Sequence, residues 1–167
     1  MQEIIPLSPK IAETHQSSLI QLNKKLKVSS LFKQDSKKSH YLDLIKNTNH
    51  RRTVAKFRTS NHKLMIEYGR YCTPKIPEHL RLCQYCSINE IDHEQHFMIN
   101  CTLYPNERQY LLDSVTHKYP HFHSLRANDM MLFLFNDVDP FVCKKLSHFI
   151  FLAFEKRESR SLNIATI

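Results

Sequence analysis

A small all-α domain with an embedded Cys3His module is the fold the sequence predicts, and three observations predict it. Val142, Leu146, Phe149, Ile150 and Ala153 recur at steps of three and four, the period of one buried helical face. The chain has a single glycine, Gly69, among its 167 residues. That scarcity argues against tight hairpins and phosphate-cradling loops, which use glycine at positive φ. Finally, Cys83, Cys86, His96 and Cys101 form C-x2-C-x9-H-x4-C, the composition and local spacing of a closed, four-coordinate structural zinc site.

The N-terminal stretch 1–29 is polar and reads as a weakly ordered segment or as a helix over 10–27, where Leu19, Ile20, Leu22 and Leu26 are weakly periodic. Residues 30–167 read as the helical domain, with the metal module at about 71–104. Tyr41, Leu42, Leu44 and Ile45 give helical spacing over 39–46, with Ser39 as N-cap. A helix over 49–60 turns Val54, Ala55 and Phe57 inward and Arg51, Arg52, Lys56 and Arg58 outward. Leu64, Met65, Ile66 and Tyr68 form a short apolar helix that stops near Gly69. Pro74 and Pro77 then interrupt helix and make 71–82 an extended arm into the module. Pro105 suits the first turn of a helix to about Lys118, and Pro120 breaks the chain. Asn128 and Asp129 cap a short helix through Phe135, and Asp139-Pro140 starts a last helix reaching about Glu158. Asp137 and Asp139 thus read as capping residues.

Met1 to Lys10 holds Glu3 and two prolines and is no secretory leader. Five cysteines without a leader point to a reducing compartment, nuclear or cytoplasmic, where thiols bind metal or stay free. Cys72 and Cys143 fall outside the pattern and read as small, buried or half-buried residues. His96 and Cys101 are five apart, about 140° around an ideal helix. They converge on one ion only if the helix over 91–101 ends or tightens near Asn100; a regular helix through Leu103 would count against the site. His93 lies roughly 12 Å from Cys101 along such a helix and fits worse as the fourth ligand. The alternative is a set of reduced cysteines packed in a core.

Several functions are excluded. No GxGxxG or GxxxxGK[ST] string is present. The longest apolar runs, Met130–Phe135 and Phe149–Phe154, are too short to cross a bilayer. There is no Ser/His/Asp or Cys/His nucleophile set and no paired carboxylates, while His93 and Glu94 alone do not suffice. Four protein ligands leave the metal no open position for catalysis, and a non-enzymatic protein is expected.

The net charge of +8 is polarised. Residues 46–81 carry nine Lys and Arg against two Glu, and residues 87–113 carry five acids against Arg108. Zinc with three thiolates and a neutral imidazole has one net negative charge, to which Glu90, Asp92 and Glu94 add. The metal tip is therefore expected to repel phosphates. Contact with RNA or DNA falls instead to His50, Arg51, Arg52, Lys56, Arg58, His62 and Lys63. A merely solvated basic face is the alternative reading.

The strings HRRTVAKFRTSNHKLMIEYGRY, IPEHLRLCQYC, NEIDHEQHFMINC and LYPNERQYLL resemble the C-terminal, zinc-binding region of non-LTR retrotransposon reverse transcriptases. The resemblance covers roughly residues 30–157 and is best at 49–112. It implies Cys83, Cys86, His96 and Cys101 as metal ligands and Arg51 through Lys63 as the basic stretch, with Phe57 and Leu64 packing behind. His93 stands where the resemblance leads one to expect an acidic residue. Polymerase activity is not implied, because the chain has no Asp-Asp dipeptide and no room for a palm. What the resemblance implies is a zinc module that assists RNA or DNA binding, derived from such an element. A structural or protein-interaction module, or a transposon remnant, in which zinc only orders the fold is the rival.

Overall fold

The computed structural model of the chain describes residues 39–136 and 139–164. The N-terminal stretch 1–29, with its helix over 10–27, and Asp137 lie outside them. In chain order the helices are α1 (Tyr41–Leu44), α2 (Thr48–Arg58), α3 (Met65–Tyr68), α4 (Pro105–Lys118), α5 (Ala127–Leu134) and α6 (Pro140–Ile164). Single 3-10 turns lie at Glu78–Leu80 and Pro120–Ser124, and a π-helical turn lies at His96–Asn100. Among the described residues the β structure is an isolated antiparallel bridge between Leu82 and Ile91.

The last helix organises the rest. Asp139 opens α6 by accepting the Phe141 N–H on Oδ1 at 2.8 Å, and Pro140 takes a first-turn position that needs no N–H. Val142, Leu146, Phe149, Ile150 and Ala153 are all buried, and α1, α2, α4 and α5 pack against this helix. α6 continues past Glu158, the expected end. Arg157 extends the buried face one turn beyond Ala153, which hydropathy alone does not foresee.

Other boundaries follow from caps. Asn47 starts α2 by accepting the N–H groups of Asn49 and His50 at 2.9 and 3.1 Å. Ser39 does not cap α1: His40 holds that position without a side-chain bond, and α1 is one turn long. Asn128 and Asp129 likewise do not cap α5, which begins after an extended Arg126. They sit inside its first turn, where the charge of Asp129 still suits the helix dipole. The proline-containing arm is not simply extended; it folds back, with the Ile76 N–H on the Gly69 carbonyl at 3.0 Å.

Gly69 follows α3 at φ −62°, a conformation open to any residue. Space explains it instead: a Cβ there would lie 2.9 Å from the Arg81 side chain. The positive φ values fall on Ser60 (51°) and Asn89 (63°). Phe97 joins the metal segment to this core, its ring centroid 5.5 Å from Phe57, 5.0 Å from Tyr104 and 4.7 Å from Phe154. Each such buried side chain contributes on the order of 1.5–3 kcal/mol. Among the described residues no helix is long and apolar enough to cross a membrane.

Candidate metal centre

Two local devices bring four ligands together. The first is a short hairpin. The Cys83 N–H bonds the Glu90 carbonyl and the Asp92 N–H bonds the Arg81 carbonyl, each at 2.9 Å. These bonds flank the Leu82–Ile91 bridge and hold the loop that carries Cys83 and Cys86.

The second device is the π turn. The segment enters as an α turn, with Phe97 N–H on the His93 carbonyl at 3.0 Å, and then widens, with Cys101 N–H on the His96 carbonyl at 2.8 Å. The helix ends at Asn100, one of the two outcomes the spacing allowed, and its last turn is widened rather than tightened. Five residues slightly exceed one π turn of about 4.4 residues, so His96 and Cys101 come to nearly the same side.

The ligand atoms of Cys83, Cys86, His96 and Cys101 all lie within 4.8 Å of one another. Cys83 Sγ is 3.9 Å from Cys101 Sγ, and Cys86 Sγ is 3.4 Å from His96 Nε2. Tetrahedral coordination with bonds near 2.3 Å to sulfur and 2.0–2.1 Å to nitrogen needs edges of about 3.8 and 3.5 Å. The four residues can therefore hold a metal ion. Cys83, His96 and Cys101 are buried and Cys86 is half-buried.

A supporting layer orients the ligands. His96 Nδ1 is 2.8 Å from Glu90 Oε2, which also accepts from Asn100 Nδ2 at 3.0 Å. A proton on Nδ1 leaves Nε2 as the free lone pair facing the sulfurs. His93 is no ligand: its Nδ1 accepts the backbone N–H of His96 at 2.9 Å. Arg108 donates to the carbonyls of Met98, at 2.9 Å, and Cys101, satisfying groups that the end of the turn leaves open.

These contacts also set protonation without metal. The hydrogen bond with Cys101, reinforced by burial, pushes the Cys83 thiol up to about 12. The same bond holds Cys101 below its ordinary value. Burial opposes charge on His96, yet hydrogen bonds to Cys83 and Glu90 override it and raise the imidazole to about 9. Glu90 is lowered by Asn100 first and His96 second.

The acidic neighbours do not form an exposed tip. Asp92 is fully buried and paired with Arg157, and it also accepts the Met65 N–H at 2.7 Å. Arg157 donates in addition to the Tyr104 hydroxyl at 3.2 Å. Glu94 takes Ser60 Oγ at 3.2 Å and His62 Nε2 at 3.0 Å. Glu90, turned to His96, is the one of the three that keeps substantial exposure, at 42% of its side chain.

The basic residues divide. Arg52, Lys56 and Lys63 are exposed. Arg51 is half-buried, with Nη1 on the Ile45 carbonyl at 3.0 Å. Arg58 does not belong to a phosphate-facing set. It is buried, donates to the Phe135 carbonyl at 3.1 Å, and lies 4.8 Å from the Tyr41 ring centroid. Its hydrophobic surroundings use the guanidinium as a packing group. His62 is turned to Glu94. His50 sits between His148 and Phe151, where burial and then His148 lower its basicity.

Sequence reasoning missed Arg157, Arg108 and the structural use of Asp92. No local signal marks the Asp92–Arg157 pair, whose members are 65 residues apart. Glu90 and Asn100 lie close enough to His96 to be found by asking what fixes its tautomer. The chain matches no family model, and neither the curated proteins nor the solved structures hold a match to it.

Proposed function

We propose that the chain is a non-enzymatic, zinc-ordered module that contacts RNA or DNA through the exposed edge of α2. The carrying observation is the convergence of three sulfurs and one imidazole nitrogen within 4.8 Å, with Glu90 behind the histidine. Thiolate-rich tetrahedral sets favour zinc among available divalent ions, and four protein ligands favour a structural role. Arg52 and Lys56 are exposed one helical turn apart, and Lys63 follows on the adjoining loop. Phosphate backbones need such a cluster of donors and little more. The resemblance to reverse transcriptase C-terminal regions points the same way. Arg58 leaves the proposed contact set, and Arg51 contributes from a half-buried position.

A protein-interaction module is the second reading. Tyr68, Tyr71 and Leu80 favour it, being 57, 68 and 56% exposed around the arm. Metal analysis and salt-dependent binding of the purified full chain separate the readings. One zinc per chain and a steep loss of oligonucleotide affinity with salt are expected. Arg52→Ala with Lys56→Ala should reduce the log–log salt slope by about 2. A folded, metal-free chain removes zinc from the proposal. Absence of RNA and DNA binding at low salt leaves the interaction reading.

A further inference from the structure

The seam between α2 and α6 opens beside the metal hairpin into a groove of about 900 Å3. Lys56 and Lys63 stand on its α2 side, Phe151 and Glu155 on its α6 side, and Tyr85 at the hairpin end. We propose that this groove takes an unpaired nucleotide of single-stranded RNA or DNA, with its phosphate on Lys56 and Lys63 and its base against Tyr85. The inference rests on the nucleic-acid reading above and specifies which form of nucleic acid the site accepts.

Aromatic surface beside a basic rim is the arrangement that holds single strands, since every base offers a π face and every nucleotide a phosphate. Tyr85 is fixed before any ligand arrives. The Arg157 guanidinium lies 4.3 Å from its ring centroid, and its hydroxyl bonds Ser161 Oγ. A platform already held in place loses little entropy on binding. The volume is that of a small-ligand site and has no room for a duplex.

The polar groups assign an orientation. Lys63 pairs with Glu158 at 3.2 Å, with the two side chains 79 and 58% exposed. So exposed a pair holds weakly and yields to a phosphate. Glu155 repels phosphate, which keeps the backbone on the α2 side and turns the base toward α6. His62 lines the groove with its side chain 1% exposed; Nε2 is engaged by Glu94, and Nδ1 has no hydrogen-bond partner among the described residues. Because Gln84 and Tyr85 lie between Cys83 and Cys86, the metal site also fixes this end of the groove.

The test is fluorescence anisotropy of the zinc-loaded full chain with a short labelled single strand, RNA or DNA, beside its blunt duplex. The single strand is expected to bind at least tenfold tighter than the duplex. Tyr85→Ala should weaken it about tenfold or more, with zinc content and circular dichroism unchanged. Tyr85→Phe keeps the ring and the Arg157 contact and loses only the Ser161 bond, so it should retain most of the affinity that Tyr85→Ala loses. Equal single-strand and duplex affinity, or indifference to Tyr85→Ala, overturns the groove while leaving the nucleic-acid reading intact. Competition by polyglutamate as strong as by RNA also overturns it, since charge alone would then suffice. No binding of either nucleic acid at low salt removes both.

Discussion

Replacing Arg157 by methionine probes a buried ionic link between the metal hairpin and the helical core. Asp92 is fully buried, and its Oδ2 is shared between the Met65 N–H at 2.7 Å and the Arg157 guanidinium. Methionine fills similar apolar space but removes the counter-charge, and the Tyr104 hydroxyl loses a bond of 3.2 Å. Breaking a buried ion pair from one side costs about 3–5 kcal/mol, because the surviving charge stays buried. For a domain of this size that is roughly a 6–20 °C fall in midpoint. Adding Asp92→Asn removes the orphaned charge while its amide oxygen still accepts the Met65 N–H. The double variant should therefore recover at least half of the loss. Urea unfolding of parent, both single variants and the double variant at constant zinc gives the cycle. An Arg157→Met variant within about 1 kcal/mol of the parent, or a double variant less stable than it, would refute the assignment.

Four further outcomes are expected. Glu90→Gln weakens the acceptor behind His96 and should lower metal affinity about 10- to 100-fold in a chelator competition; unchanged affinity would show that the carboxylate is incidental. Metal competes with the protons on Cys83, raised to about 12, and on His96, raised to about 9, so affinity should rise with pH through neutrality. Zinc binding should accordingly release protons in calorimetry run in buffers of differing ionisation enthalpy, and a buffer-independent heat would contradict this. Gly69→Ala would normally stabilise a residue at this φ by reducing unfolded-state freedom. Here the new Cβ meets Arg81 at 2.9 Å, and thermal unfolding should show a loss of about 1–3 kcal/mol; a gain would reject the steric account. Arg58→Ala should cost about 2–4 kcal/mol through its lost hydrogen bond and ring contact yet leave the salt slope of oligonucleotide binding unchanged, and a reduced slope would return Arg58 to the binding face.

Features written in local spacing were legible before the structure. The stripe from Val142 to Ala153, the Asp139-Pro140 start and the Pro105 start each depend on residues within a few positions of one another. So does the Cys3His set, whose ligand atoms the fold brings together. Features that depend on distant partners were not legible. Arg58 carries the same charge as Arg52 on the same helix, and distant partners such as the Tyr41 ring and the Phe135 carbonyl distinguish them. Asp92 reads as part of an acidic run until Arg157 is placed beside it. The caps of α1 and α5 were missed for another reason: serine, asparagine and aspartate favour the cap position but do not compel the chain to begin its helix there.

The wide turn at His96–Asn100 also ties the candidate metal site to a reading frame. Rewound as ordinary α-helix, the segment would carry Cys101 about 140° away from His96, with Leu103 and Tyr104 displaced along with it. Both are buried, and Tyr104 faces Phe97 and Arg157. Deleting one residue between His96 and Cys101 would let a plain α-helix align the two ligands, four apart and about 40° offset, but everything after them would then arrive one step out of phase. The fifth residue of that interval therefore belongs to the core as much as to the metal, and the two cannot be re-spaced independently.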